Sequence, residues 1–159
     1  MSIRTIALFC GVAFLAPTAA AGAVDARPAE VVHLFYGWYF SPGVKGRAFN
    51  HISSARPFLT RSFGTLLARV HPYEEAHGAV LEADPFIDAQ IEASSVTLGS
   101  SFTWNGVATV TVTVHYPKDS SVGHVKVQLI RTADAGWRID DIVGATGGSL
   151  RKTLEHNMK

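Results

Sequence analysis

The chain predicts an α+β domain, with N-terminal helices packed on one face of a curved four-stranded antiparallel sheet and a short helix at the C-terminus. Three observations carry this. Helical periodicity rules the first half, as in Val31, Leu34, Phe35 and Trp38 at i, i+3, i+4 and i+7. Two-residue alternation rules the second half, most strictly from Val107 to Tyr116. Helices and strands are segregated along the chain instead of alternating, which places the helices on one sheet face.

The first helix is expected over residues 28–40. Pro28 suits its first turn, where a missing N–H costs nothing. Residues 41–56 read as a long polar, Gly-containing loop of the kind that gates a site. Pro57 opens a second helix carrying Phe58, Leu59, Phe63, Leu66, Leu67 and Val70. Pro72 ends that helix, and a short third one covers residues 73–81. In Asp84-Pro85-Phe86 the aspartate is placed to cap a helix or turn start. Residues 94–104 form the first strand, and Asn105-Gly106 marks a type I′ hairpin because both central residues need φ > 0. In the second strand Val110, Val112, Val114 and Tyr116 share one face, with Thr109, Thr111, Thr113 and His115 on the other. Val125, Val127 and Leu129 mark the inner face of the third strand, and Trp137 and Ile139 that of the fourth. Residues 144–148 release the chain into a last helix from Ser149 to about Met158. Long strands with one apolar face curl around the aromatics of the first helix, giving a cone with a cavity between sheet and helices.

Residues 1–23 read as a cleavable signal peptide: Arg4, an apolar run at 6–15, then small residues ending Ala21-Gly22-Ala23. The apolar run is shorter than the roughly 20 residues a membrane span needs. Cys10, the one cysteine, sits too early for lipid attachment. The remaining residues 24–159 suit a single domain without disulfides or thiolate chemistry. Without Arg4, thirteen basic residues face thirteen acidic ones. That balance argues against nucleic acid, which selects a basic stripe, and against electrostatic membrane binding. The expected location is the periplasm or the exterior.

The pattern Phe35-Tyr36-x-Trp38-Tyr39, then Asp84-Pro85-Phe86-x-x-x-Gln90, then Trp137-Arg138-Ile139-Asp140-Asp141-Ile142 with Leu150-Arg151-x-x-Leu154, resembles the bacterial domain of unknown function 3828 family. The resemblance spans residues 28–154. It implies an exported protein or lipoprotein with a cystatin-like, nuclear transport factor 2-like fold. Ile91 follows Gln90 where the family pattern has an aspartate, which weakens any role for an acidic group there.

Strand parity places Asp141 with Trp137 and Ile139, pointing inward, and Asp140 with Arg138, pointing out. A buried carboxylate must be hydrogen-bonded or protonated. Asp141 is therefore either a structural acceptor or a base or ligand anchor in the cone, the latter by fold analogy with ketosteroid isomerase. Phe35 and Trp38 belong to the core. Tyr36 and Tyr39 either pack there with partnered hydroxyls or line a pocket mouth. Glu74 and His77 stand i, i+3 like half of a carboxylate metal motif, but the other half is absent, so no metal or cofactor is expected. No G-x-S-x-G occurs. Gly147-Gly148-Ser149 reads as a loop and N-cap. Arg47, Arg56, Arg61 and Arg69 form a loose basic group that is either a solvated face or a contact for an acidic partner.

The leading functional expectation is an exported non-catalytic domain binding a small molecule or a protein partner in or on the cone. Tyr36, Trp38, Tyr39, Arg56 and Asp141 are the candidate binding residues. The first alternative is a protein-interaction or inhibitor domain of the cell envelope, immunity-like, or a domain pairing with a second copy. The second is an isomerase- or dehydratase-like enzyme with Asp141 as base and a tyrosine as proton donor.

Overall fold

The computed structural model describes residues 27–117 and 121–159, so the expected signal peptide and Cys10 lie outside the described residues. Helix α1 (Pro28–Tyr39) carries Pro28 in its first turn. Its buried face runs through Val31, Val32, Phe35, Tyr36 and Tyr39, whereas Leu34 is half exposed and Trp38 only partly covered. The face expected from Leu34 and Trp38 is thus rotated. Tyr36 and Tyr39 turn inward because the interior supplies acceptors for both hydroxyls, described below.

Residues 41–56 are not a free loop. A 3₁₀ turn, Ala48–His51, leads into the one-turn helix α2 (Ile52–Ala55). Val44, Ala48, Ile52 and Ala55 are buried, and Trp38 Nε1 donates to Ser54 Oγ at 2.8 Å. Pro57 sits in a second 3₁₀ turn, Arg56–Phe58, instead of opening a long helix. Leu59 and Thr60 are then extended and lie along the edge of the last strand, Thr60 N–H donating to the Ile139 carbonyl at 2.8 Å. Thr60 caps helix α3 (Arg61–Ala68) by accepting from the Phe63 N–H. Helix α4 (Val70–His77) contains Pro72 in its first turn, where proline is tolerated, so Pro72 does not break the chain.

The sheet has strand order β1-β2-β3-β4: β1 (Ser95–Trp104), β2 (Val107–His115), β3 (Val122–Thr132) and β4 (Gly136–Val143). Asn105 and Gly106 have φ of 49° and 75°, the type I′ geometry expected of the Asn-Gly pair. Ala108, Val110, Val112 and Val114 of β2 are fully buried, the first three opposite Leu129, Val127 and Val125 of β3 and Val114 opposite Gly123. Each such valine or leucine side chain contributes about 1.5–3 kcal/mol on burial. Helix α5 (Leu150–Asn157) closes the chain, with Ser149 as its N-cap. The expected α+β architecture is what the chain adopts.

Two irregularities matter. β1 shifts register between Leu98 and Ser101. β4 shifts where Leu129 pairs with Ile139 but Gln128 pairs with Asp141, so Asp140 is an extra residue. Ile139 and Ile142 consequently both face the core, and Asp141 sits opposite the outward Gln128. A single inserted residue moves every following side chain to the other face. The inward orientation expected for Asp141 is corrected on that ground, whereas its burial is as expected.

The space between α1 and the sheet is filled. Phe86 and Ile87, from the segment joining α4 to β1, enter it at 0% and 1% exposure. Phe86 packs edge-on against Phe35 (5.6 Å between centroids) and Tyr39 (6.0 Å), and tilted on Phe49 (5.3 Å). Among the described residues, every buried side-chain nitrogen or oxygen has a hydrogen-bond partner. None of the described helices is long and apolar enough to cross a membrane. Phe86→Ala is expected to lower unfolding free energy by about 3–5 kcal/mol in urea titration, the cost of a large core cavity. A loss under 1 kcal/mol would show that Phe86 is not a core plug.

Candidate functional site

The plug around Phe86 is tied by three tyrosines. Tyr36 Oη donates to the Phe86 carbonyl at 2.7 Å, and Tyr116 Oη to the Ile87 carbonyl at 3.0 Å. Tyr39 Oη donates to Asp84 Oδ2 at 2.9 Å, while Asp84 Oδ1 accepts from the Phe86 N–H at 2.9 Å. Asp84 therefore caps a turn as its sequence suggests, but no helix follows it. Burial pushes the Asp84 carboxyl above its ordinary value, against the two hydrogen bonds that lower it. Burial first, and the Asp84 charge second, push the Tyr36 and Tyr39 phenols far above 10.0.

Asp141 has a different task. Its Oδ1 accepts from the Arg151 N–H at 2.9 Å and the Ile142 N–H at 2.8 Å, and its Oδ2 from Ser149 Oγ at 2.5 Å. The carboxylate lies at the N-terminus of α5, where the helix dipole and free N–H groups favour an anion. The chain's own aspartate thus occupies the place where Gly147-Gly148-Ser149 could have offered donors to a ligand. Asp140 pairs with Arg151 at 2.5 Å and accepts from Thr60 Oγ1 at 2.7 Å. It does not pair with Arg138, whose Nη1 donates to the Trp137 carbonyl at 2.7 Å. Arg151 also stacks on Phe63 at 5.2 Å and so ties α3, β4 and α5 together.

The five candidate binding residues do not converge. Tyr36 and Tyr39 are interior, Trp38 lies in the seam with α2, Asp141 caps α5, and Arg56 is on the surface. The geometry for proton transfer between Asp141 and a tyrosine is not assembled, since their hydroxyl and carboxylate groups bond to separate partners. Glu74 Oε1 accepts from the Val80 and Leu81 N–H groups and His77 stacks on Tyr73 at 4.2 Å, so both serve the end of α4. Among the described residues, no group of three His, Cys, Asp or Glu side chains is placed to hold a metal.

Beside smaller grooves, one of about 440 Å³ bordered by Tyr39, Asp84 and Glu92, two surface features stand out. Phe102 and Trp104 of β1 are each 68% exposed. They pair with Thr109 and Val107, and Thr109 and Val107 pair in turn with Gln128 and Ile130, which places all of them on the outer sheet face. The signal for this patch is parity. Trp104 precedes the Asn-Gly turn on the face away from the helices, where an aromatic has no core to enter. The second feature is a cleft of about 670 Å³ between α3 and the β3–β4 hairpin, lined by Arg56, Leu59, Arg61, Gly64, Thr132, Asp134 and Arg138 among others. Of the loose basic group, Arg56 and Arg61 meet here. Arg69 instead donates to the Met158 carbonyl, and Arg47 borders a separate groove beside Phe49.

No family model matches this chain, and no curated protein does. Among solved structures, it is similar to a chain of the type VI effector-immunity complex Tae3-Tai3 from Ralstonia pickettii. The match has a TM-score of 0.56 and 18% identity, covering 75% of this chain and 97% of that one. Identity at that level shows a shared α+β fold. The class defined by fold and site is thus an α+β domain with Phe86 and Ile87 buried in its interior.

Asp141→Asn is expected to lower stability by about 1–2 kcal/mol, as loss of a helix-capping acceptor does. Circular dichroism during denaturation checks this, and an unchanged midpoint would contradict the capping role. The tyrosines set an alkaline limit. Their folded pKa values are raised, so their contribution is complete below 10.0 and is lost as pH climbs past it. The unfolded chain ionises there while the folded chain does not, and stability falls by about 1.4 kcal/mol per pH unit for each phenol. Absorbance at alkaline pH should show these two phenols ionising only as the chain unfolds.

Proposed function

We propose that this chain is an exported, non-catalytic protein-interaction domain of the cell envelope, immunity-like in that it binds a protein partner through its surface. The observation that carries this is the pair Phe102 and Trp104, both largely exposed on the outer sheet face. Large aromatics are the residues most enriched at the energetic centres of protein interfaces. Their exposure also costs solubility unless a partner uses them. The filled cone supports the same reading, because Phe86 occupies the volume a small molecule would need.

The fold likeness to a chain of an effector-immunity complex agrees with a protein partner and favours it over the small-molecule reading. The signal-peptide pattern at residues 1–23 supports export to the periplasm. The ordered motifs from Phe35 to Leu154 support membership of the exported domain of unknown function 3828 family. An enzyme in the envelope is the partner class that an inhibitor or immunity domain would restrain.

The test is native mass spectrometry of the tagged protein purified gently from its own periplasm. A discrete complex with one other protein is expected, and F102E and W104E should each deplete it about tenfold or more, the effect of losing an interface anchor. A bare monomer carrying a small excess mass that vanishes on denaturation would overturn this reading in favour of a ligand-binding domain. A mass of two identical chains would make the outer face a self-association surface instead.

A further inference from the structure

Three arginines line the cleft between α3 and the β3–β4 hairpin. Arg56 comes from the 3₁₀ turn, Arg61 from the first residue of α3, and Arg138 from β4. Among the described residues, none of the three is within ion-pair distance of a carboxylate. Asp134 also lines the cleft, leaving a net positive balance. Leu59 and Gly64 add an apolar part to the lining, and Thr65 and Thr132 add hydroxyls.

The position of Arg61 is the most telling detail. A helix N-terminus carries positive partial charge, so a cation in the first turn opposes the dipole. The first turn of α3 has no acidic residue to offset it. Arg61 therefore works against its own helix, and Arg56 and Arg138 line the same cleft without an ion-pair partner among the described residues, Arg138 Nη1 donating to the Trp137 carbonyl. No carboxylate of the described residues pairs with these arginines, and an anion would supply that partner, since arginine forks bind carboxylates in paired hydrogen bonds.

We propose that this cleft is a binding site for an acidic peptide segment, one that presents carboxylate side chains to Arg56, Arg61 and Arg138. The inference rests on the protein-partner reading above and names the chemistry of one contact. An extended segment suits the space better than a compact phosphate does. The volume of about 670 Å³ is open and partly apolar. The Phe63 N–H, a donor of the first helical turn that a phosphate would seek, is already taken by Thr60 Oγ1. Ladder pairing also links the two surface features, because Trp104 pairs with Val107, Val107 with Ile130, and Ile130 with Arg138. The exposed aromatics and the cleft thus stand at two ends of one row across the outer sheet face.

The experiment titrates fluorescein-labelled hexaglutamate, with hexalysine and inorganic phosphate as controls, into the mature protein, read by anisotropy and by amide NMR shifts. Hexaglutamate is expected to bind at low salt, to weaken as ionic strength rises toward about 0.15 M, and to shift the amides of Arg56, Thr65, Thr132 and Arg138. R56E, R61E and R138Q should each weaken it about tenfold, the effect of losing one charge-assisted contact. R61E should melt no lower than the wild type, because glutamate suits the first turn of a helix. Binding lost with stability kept separates recognition from structure. Hexaglutamate binding that R56E and R61E leave unchanged would overturn the proposal, as would phosphate displacing the peptide at equal or lower concentration. A periplasmic complex that survives R56E and R61E but not W104E would refute the cleft and spare the protein-partner reading. Hexaglutamate binding without any periplasmic complex would do the reverse.

Discussion

The segment from Asp84 to Asp88 is the constraint on which the rest of the molecule depends. It has no regular structure, yet it fills the interior. Phe86 contacts aromatics of α1 and of the following loop, its carbonyl accepts from the Tyr36 hydroxyl of α1, and the Ile87 carbonyl accepts from the hydroxyl of Tyr116, the residue after β2. Asp88, at φ of 50°, accepts from the Ala145 N–H beyond β4 and lies against Gly144, where a Cβ would approach its carboxylate to 2.8 Å. One short stretch therefore registers α1, β2 and the chain after β4 against each other. It also removes the cavity that would have made the cone a ligand site.

The two edges of the sheet are treated differently. The outer edge of β4 is covered twice, by Leu59 and Thr60 near Ile139 and by Ser149 near Val143. The bulge at Asp140 serves this covering. It turns Asp140 toward Thr60 and Arg151, and Asp141 toward the start of α5. Two adjacent acidic residues thereby fasten two different helices to one strand. Bulges re-aim side chains in this way at the cost of a ladder pair. The edge of β1 has no such cover among the described residues.

Much of this was legible in the sequence where a local rule had no competitor. The Val-Thr alternation of β2, the Asn-Gly turn, the Ser149 cap and the order of elements are each read from neighbouring residues. The bulge was not legible, because nothing in Asp140-Asp141 says that one residue is extra, and one residue reverses the face of Asp141. The exposed side of Leu34 was hidden for a related reason. Val32, Tyr36 and Tyr39 form an equally good helical stripe, and only the acceptors at Phe86 and Asp84 decide between them. Pro57 and Pro72 misled because a proline suits either a 3₁₀ turn or a first helical turn. The arginine cleft needed residues 56, 61 and 138 in one place, which follows from the β4 edge and not from spacing. Trp104 needed only parity and the absence of any helix beyond it.

The register shift in β1 has a consequence for how the protein survives at high concentration. A ten-residue strand with a free edge would template the growth of a continuous sheet from copy to copy. Here the irregularity at Gly99 and Ser100 divides the ladder into Ser95–Leu98 and Ser101–Trp104. Each half presents four paired residues, and the step between them twists the edge out of line for any straight strand. A break of this kind removes the uninterrupted template on which growth of a sheet from copy to copy depends.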